Sequence, residues 1–336
     1  MINAYAVNKA KGRFQRLEYD PGVLGPDLVE IDVIACGLCH SDLSMVDNEW
    51  GDSEYPLVPG HEVVGKISKV GTNVKHLKPG DTVGVGWFSG SCMICHSCLR
   101  GDHNHCAEVE QTIVGRHGGF ADKVRCQAVW ATPLPADLDV MKAGPLLCAG
   151  ITVFNPLVEF DVRPTQRVGV IGIGGLGHLA LKILNKWGCE VTAFTSTDNK
   201  HEDARQMGAH HVVNSRHAAQ LRKIAGSLDF IISTVAVEMD WDAYLDALAP
   251  NGRLHIVGAV AEPLSVPAFA LIGGQRCLSG TPTGAPATMR TMLEFCARHH
   301  IEPVIETFPL SHVNEAMAHL RAGKARYRVV LENDLD

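Results

Sequence analysis

Polar and apolar residues alternate along Val29-Glu30-Ile31-Asp32-Val33, the period-two pattern of a strand with one buried face. Glu62–Ile67 and Asp81–Val85 are further β-rich runs, and the pairs Pro59-Gly60 and Pro79-Gly80 punctuate the region as turns. Up to about residue 150 the chain reads as short strands, turns and loops with few helices, which predicts an antiparallel, barrel-like domain. The pattern then changes. Arg167–Gly172 is a short buried-strand run, a Gly-rich turn follows, and the spacing predicts a helix from about Leu176 to Trp187. Glu190–Phe194, Asp229–Ile232 and Leu254–Val257 repeat the strand, with helix-like segments between them. Such alternation predicts βαβ units and a parallel sheet. Beyond about 287, Thr288–Arg298 and Ser311–Ala322 read as helices and Tyr327–Leu331 as a closing strand. No internal repeat or low-complexity segment interrupts this order.

The 336 residues suffice for two domains with separate cores. A formal charge of −7 disfavours a general nucleic-acid or anionic-membrane binder. No apolar run reaches the roughly 18 residues of a membrane span. The N-terminal residues lack the basic-then-apolar layout of a signal peptide, so a cytoplasmic protein is expected.

Candidate chemistry lies in three places. Cys92, Cys95, Cys98 and Cys106 fall within fifteen residues. In a reducing compartment such a cluster reads as a metal site rather than disulfides. Four thiolates fill a tetrahedral zinc shell and leave no position for substrate, so the site is structural. Cys39, His61, Glu62 and Cys148 are each weak signals alone, and a lone buried cysteine more often serves as a small core residue. Together they offer two thiolates, an imidazole and a carboxylate, a set that suits a catalytic zinc with an open position. Gly172-Ile173-Gly174-Gly175-Leu176-Gly177 fits G-x-G-x-x-G between an expected strand and an expected helix, the context of a dinucleotide-binding turn.

The string Cys36-Gly37-Leu38-Cys39-His40-Ser41-Asp42, followed by Pro59-Gly60-His61-Glu62, resembles the zinc-containing medium-chain alcohol dehydrogenases. The resemblance covers essentially the whole chain. It is nearest to the cinnamyl alcohol dehydrogenase group and its bacterial broad-specificity NADPH-dependent aldehyde reductases. It implies an α/β protein with a β-rich GroES-like catalytic domain at 1–149 and 287–336, and a Rossmann domain with a doubly wound parallel sheet at 150–286. It further implies two zinc ions per chain and reversible hydride transfer between alcohols and aldehydes. By position, Cys39, His61 and Cys148 would bind the catalytic zinc and Glu62 would approach it. Asp42 would hold the far nitrogen of His61, and Ser41 would carry the proton. His40 and Arg328 would contact the cofactor pyrophosphate, and Thr152 would lie near the nicotinamide. Arg326, in the same basic run, reads also as a solvated surface residue. Many relatives end the proton relay with a histidine where this chain has Ser44. A relay from Ser41 through the cofactor ribose to water is therefore expected, unless Ser44 is an ordinary loop residue.

The end of the strand after the Gly-rich turn chooses the cofactor. An NAD enzyme needs an acid there for the ribose 2′-hydroxyl, and that acid would repel a 2′-phosphate. Family alignment puts Ser196 at this position. With Thr195, Thr197 and Lys200 it suits NADP(H), whereas a two-residue shift would make Asp198 the NAD acid. Trp50 and Trp87 flank the zinc-binding segments and are expected to wall a pocket for a small apolar aldehyde or alcohol, though either indole also reads as core. The alternatives are an NAD-linked polyol or formaldehyde dehydrogenase, a zinc-free quinone reductase, disfavoured by the ligand set, and a nucleotide-binding protein without catalysis. Arg276–Gly280 is expected as the last strand of the Rossmann sheet, an edge able to form a homodimer.

Overall fold

The computed structural model of the chain describes residues 1–335. They divide into two compact units, one formed by Met1–Ile151 with the chain from Thr283 onward, the other by Thr152–Pro282. The breaks expected from sequence lay after 149 and after 286.

In the first unit the alternating segment at 29–33 belongs to a longer strand, Leu28–Leu38. It is the hub of a seven-stranded sheet in the order Ile305–Pro309, Arg328–Glu332, Leu28–Leu38, Val63–Val70, Thr82–Val85, Thr132–Pro133, with Lys123–Gln127 also paired to the hub. The pairings are antiparallel except for Ile305–Pro309 against Arg328–Glu332, which is parallel. The inward faces place Val29, Ile31, Ile67, Val83, Val85 and Val329 in one fully buried core, joined by Phe120 from the chain before Lys123–Gln127. Register shifts at Glu30/Ile31 and Val33/Ala35 bend the hub strand. Its far end delivers Cys36, Gly37 and Leu38 to the region of the candidate metal site.

One element departs from the sequence pattern. His40–Asp47 is a helix where turns and loops were expected. Asp42, Leu43, Ser44, Met45, Val46 and Asp47 are all buried. A helix covered on nearly every side shows no apolar stripe, so hydrophobic periodicity cannot mark it.

The second unit holds six parallel strands in the order His211–Asn214, Glu190–Thr195, Arg167–Ile171, Leu228–Ser233, Leu248–Ile256, Cys277–Gly280. Val168, Val170, Val191, Ala193 and Ile231 are fully buried, as befits strands covered on both faces. The strand order reverses at Arg167–Ile171, and the Gly-rich turn leaves from its carboxyl end into the helix Gly177–Trp187. Ligands bind such open sheets at this switch point. Cys277–Gly280 is the sheet edge, paired on one side only and largely exposed. Among the described residues no single helix is long and apolar enough to cross a membrane.

Candidate active site and metal centres

Cys39 ends the approach of the hub strand and caps the helix His40–Asp47. Its backbone N–H donates to Asp42 Oδ2 at 2.9 Å. Asp42 Oδ1 accepts from Gly60 N–H at 2.8 Å and faces His61 Nδ1 at 3.0 Å. One fully buried carboxylate thus fixes the start of the helix, the turn before His61 and the imidazole ring. With Nδ1 held by Asp42, the other ring nitrogen is the one left for a ligand. Gly37 lies where a Cβ would stand 1.9 Å from Glu62 Oε2, so only glycine lets that carboxylate reach the site.

One ligand atom each from Cys39, His61, Glu62 and Cys148 lies within 4.8 Å of all the others, and all four residues are buried. His61 Nε2 and Glu62 Oε2 have no hydrogen-bond partner among the described residues. Leaving such atoms buried and unmet costs about 1–3 kcal/mol each. Two sulfurs and two unmet polar atoms converging in one buried spot are what a zinc ion requires, so the residues fit the metal. The electrostatics agree. Cys39 Sγ and Cys148 Sγ lie 4.0 Å apart, and the hydrogen bond between them holds Cys39 well below its usual range and lifts Cys148 above it. Burial raises Glu62 to about 7 against the pull of Arg328. Burial opposes the charged imidazole, but the Asp42 carboxylate outweighs it and lifts His61 above its ordinary value.

Ser41 lies beside this cluster, its Oγ 3.9 Å from Cys39 Sγ. Trp87 meets the His61 ring edge-on at 5.0 Å and Trp50 at 5.9 Å, so the two indoles form a row leading away from the imidazole. Trp50 is 41% exposed. His40 is exposed at the first turn of its helix. Arg328 is buried, and its guanidinium pairs with Glu62 Oε1 and lies 3.9 Å from Cys39 Sγ. Sequence reasoning missed this pair, which joins residues 266 positions apart. Arg326 is exposed, its backbone N–H bonded to Glu306. Ser44 is buried and donates to Glu49 Oε2 at 2.7 Å, a partner that was not foreseen.

The thiols of Cys92, Cys95, Cys98 and Cys106 likewise lie within 4.8 Å of one another. Backbone N–H groups aim at the sulfurs, from Cys95 to Cys92 at 3.3 Å and from Cys92 and Glu108 to Cys106 at 3.4 Å. N–H groups of Ile94 and Cys95 draw Cys92 down to about 7. Amide donors at Cys92 and Cys106 stabilise thiolates there, and the four converging sulfurs fit a closed zinc site.

In the second unit Gly172 has φ +89°, which a side chain rarely adopts. A Cβ on Gly177 would lie 1.8 Å from Gly172 O, so the first helical turn packs directly on the turn before it. A Cβ on Gly174 would meet nothing within 4 Å, which leaves open space above the turn. Gly175 and Leu176, half-buried, lead into the helix. This cradle fits a pyrophosphate at a helix N-terminus. Lys200 Nζ donates to Ile173 O at 3.1 Å, bringing its charge to the turn. Thr195 is buried and bonds Thr197 N–H at 2.9 Å, while Ser196 is exposed. Asp198 accepts from Asn214 Nδ2 at 2.7 Å and lies 3.4 Å from His201 Nε2. Thr152 is buried on the helix Ala149–Glu159.

Residues 25–136 match the alcohol dehydrogenase GroES-like domain, and residues 175–298 match the zinc-binding dehydrogenase family. The chain is 55% identical to aldehyde reductase AdhA of Synechocystis sp. over 333 residues, which is 99% of each protein. The structure of a cinnamyl alcohol dehydrogenase from Sorghum bicolor superposes with a TM-score of 0.95 at 36% identity, over 98% of this chain and 97% of that one. The cinnamyl alcohol dehydrogenase of Helicobacter pylori, solved with NADP(H), gives 0.90 at 32% identity over 98% and 97%. With these likenesses added to two metal-ligand clusters and a dinucleotide cradle, the chain belongs to the zinc-containing medium-chain alcohol dehydrogenases, in the cinnamyl alcohol dehydrogenase group, and interconverts alcohols and aldehydes.

Proposed function

We propose that the chain uses NADPH to reduce a broad range of small, apolar aldehydes. The observation that carries the reading is the convergence of Cys39, His61, Glu62 and Cys148 on one buried spot with His61 Nε2 and Glu62 Oε2 unmet. Cys39, His61 and Cys148 would hold the catalytic zinc, with Glu62 able to approach it, and Cys92, Cys95, Cys98 and Cys106 the structural one. When bound, the catalytic zinc supplies Lewis-acid polarisation of the substrate oxygen. Asp42 keeps the His61 ring turned for this task, Ser41 passes the proton, and Trp50 and Trp87 present apolar walls to the aldehyde.

Gly172, Gly174, Gly175, Leu176 and Gly177 receive the pyrophosphate, and Thr195, Ser196, Thr197 and Lys200 receive the 2′-phosphate. Lys200 supports this choice by its place beside the turn, and Asp198 by its engagement with Asn214 and His201. The NADP(H) complex of the Helicobacter pylori relative supports it too. His40, Thr152 and Arg328 are assigned to the cofactor by family position. NADPH as reductant favours aldehyde reduction as the working direction.

The test is oxidation of NADPH and of NADH with a panel of small aldehydes, before and after zinc chelation. A higher kcat/KM with NADPH that chelation abolishes is expected, and preference for NADH would move the 2′-site to Asp198. The same reading has the chain a cytoplasmic homodimer paired through the outer edge of Cys277–Gly280. A monomeric mass at micromolar protein would overturn the dimer.

A further inference from the structure

We propose that His178, together with Thr234, positions the cofactor's pyrophosphate by holding the carbonyls of the Gly-rich turn away from it. His178 is fully buried at the start of the helix Gly177–Trp187. Its backbone N–H donates to Gly174 O at 3.1 Å, and its ring Nδ1 lies 3.0 Å from the same oxygen. A carbonyl only accepts, so Nδ1 carries the ring proton and donates it. One residue thus takes both lone pairs of Gly174 O.

The carbonyls before it are held in the same way. Thr234 follows the strand Leu228–Ser233, and its Oγ1 lies 2.9 Å from Ile171 O and 3.2 Å from Gly172 O, one hydroxyl proton serving both. Ile173 O accepts from Lys200 Nζ at 3.1 Å. The carbonyls of Ile171, Gly172, Ile173 and Gly174 are therefore all met by side chains, which come from three separate stretches of the second unit. These peptides are trans, and across a trans peptide the C=O and the following N–H point opposite ways. Fixing the oxygens of Gly172, Ile173 and Gly174 turns the N–H groups of Ile173, Gly174 and Gly175 to the other side. None of these three N–H groups has a hydrogen-bond partner among the described residues.

Such a row of free donors suits an anion, but it must be kept in place. The peptide between Gly174 and Gly175 joins two glycines, so no side chain resists its turning over. A turned peptide offers the phosphate a carbonyl oxygen where an N–H is needed. The bond from His178 Nδ1 opposes that rotation, in addition to the helical bond from His178 N–H. The choice of residue agrees with this. An apolar side chain would fill a buried place on the helix at no polar cost, whereas an imidazole N–H there has to be hydrogen-bonded. Gly174 O is its partner.

The inference rests on the reading that this turn receives the pyrophosphate of NADP(H). Binding to the zinc-loaded enzyme is measured by NADPH fluorescence, with adenosine 2′-monophosphate, which lacks the pyrophosphate, as a competing ligand. In His178→Leu the Kd of NADPH is expected to rise about tenfold, the upper range for one hydrogen bond acting on the fraction of competent turns. Adenosine 2′-monophosphate should bind as it does to the parent. The KM for NADPH should follow its Kd, while kcat at saturation holds. His178→Asn returns an N–H close to the place of Nδ1 and should restore most of the affinity. Thr234→Val, which keeps the shape of the side chain, should show the same selective loss. Parent-like NADPH binding in His178→Leu, or equal weakening of both ligands, would overturn the role of His178. Should that variant not fold, the same two outcomes in Thr234→Val would overturn the clamp. A parent enzyme that does not bind NADPH would instead overturn the cofactor reading itself.

Discussion

Asp42 bonds to three groups from two stretches of the chain: the Cys39 amide, the Gly60 amide and the His61 ring. Asparagine at this position offers one acceptor oxygen and turns an amide N–H toward a donor. Asp42→Asn should weaken the catalytic zinc about 10–100-fold, the range found when a group behind a metal ligand is changed. Competition with a chromophoric chelator measures it, and the four-cysteine zinc serves as an internal control that should not respond. Asp42 was readable because it sits three residues after Cys39 within a recognised string. Gly37 and Arg328 are different cases. A glycine inside a strand signals close approach of something, but only the fold shows that the visitor is Glu62. Nothing local at Arg328 reports its pairing with Glu62, the residue just before the distant strand Val63–Val70.

At the scale of elements, local chemistry was legible and long-range burial was not. The four-cysteine lobe is written in one loop, and the parallel sheet in its separate apolar runs. The helix His40–Asp47 was hidden because it is buried on nearly all sides. The strand Leu248–Ile256 carries a further consequence. His255, fully buried there, lies 3.0 Å from Ser279 Oγ and 3.1 Å from Thr281 Oγ1, tying the edge strand and the residue after it to its neighbour. Phe160 and Phe230 enclose the ring at 5.2 and 5.8 Å. Burial, with the nearby charge of Arg253, lowers His255 from 6.5 to about 4. The unfolded chain then binds more protons than the folded one between these values. Stability is complete above pH 6.5 and is lost as pH falls toward about 4, by about 3 kcal/mol at most. His255→Asn should flatten the dependence of Tm on pH across that window relative to the parent. Parallel curves for the two proteins would refute this.

For the whole molecule, the two metal centres should separate in experiment. Cys148→Ser should lose one zinc per chain and nearly all turnover while keeping the parent's circular dichroism, because its site serves chemistry. Cys98→Ser should lose the other zinc and lower Tm, because a closed site contributes folding energy directly. Metal analysis and calorimetry on both variants decide the matter, and an equal fall in Tm for the two would contradict the division of roles.

Every residue offered to either zinc lies in the unit formed by Met1–Ile151 and the chain after Thr283, whereas the Gly-rich turn and the segment Thr195–Lys200 lie wholly in Thr152–Pro282. On the proposed assignment, in which Thr195–Lys200 receive the 2′-phosphate and Trp50 and Trp87 wall the substrate pocket, the choice of reductant and the choice of substrate can be inherited separately. A lineage on this scaffold can exchange one redox partner for the other by altering a few codons after the second parallel strand, while its repertoire of aldehydes passes down untouched.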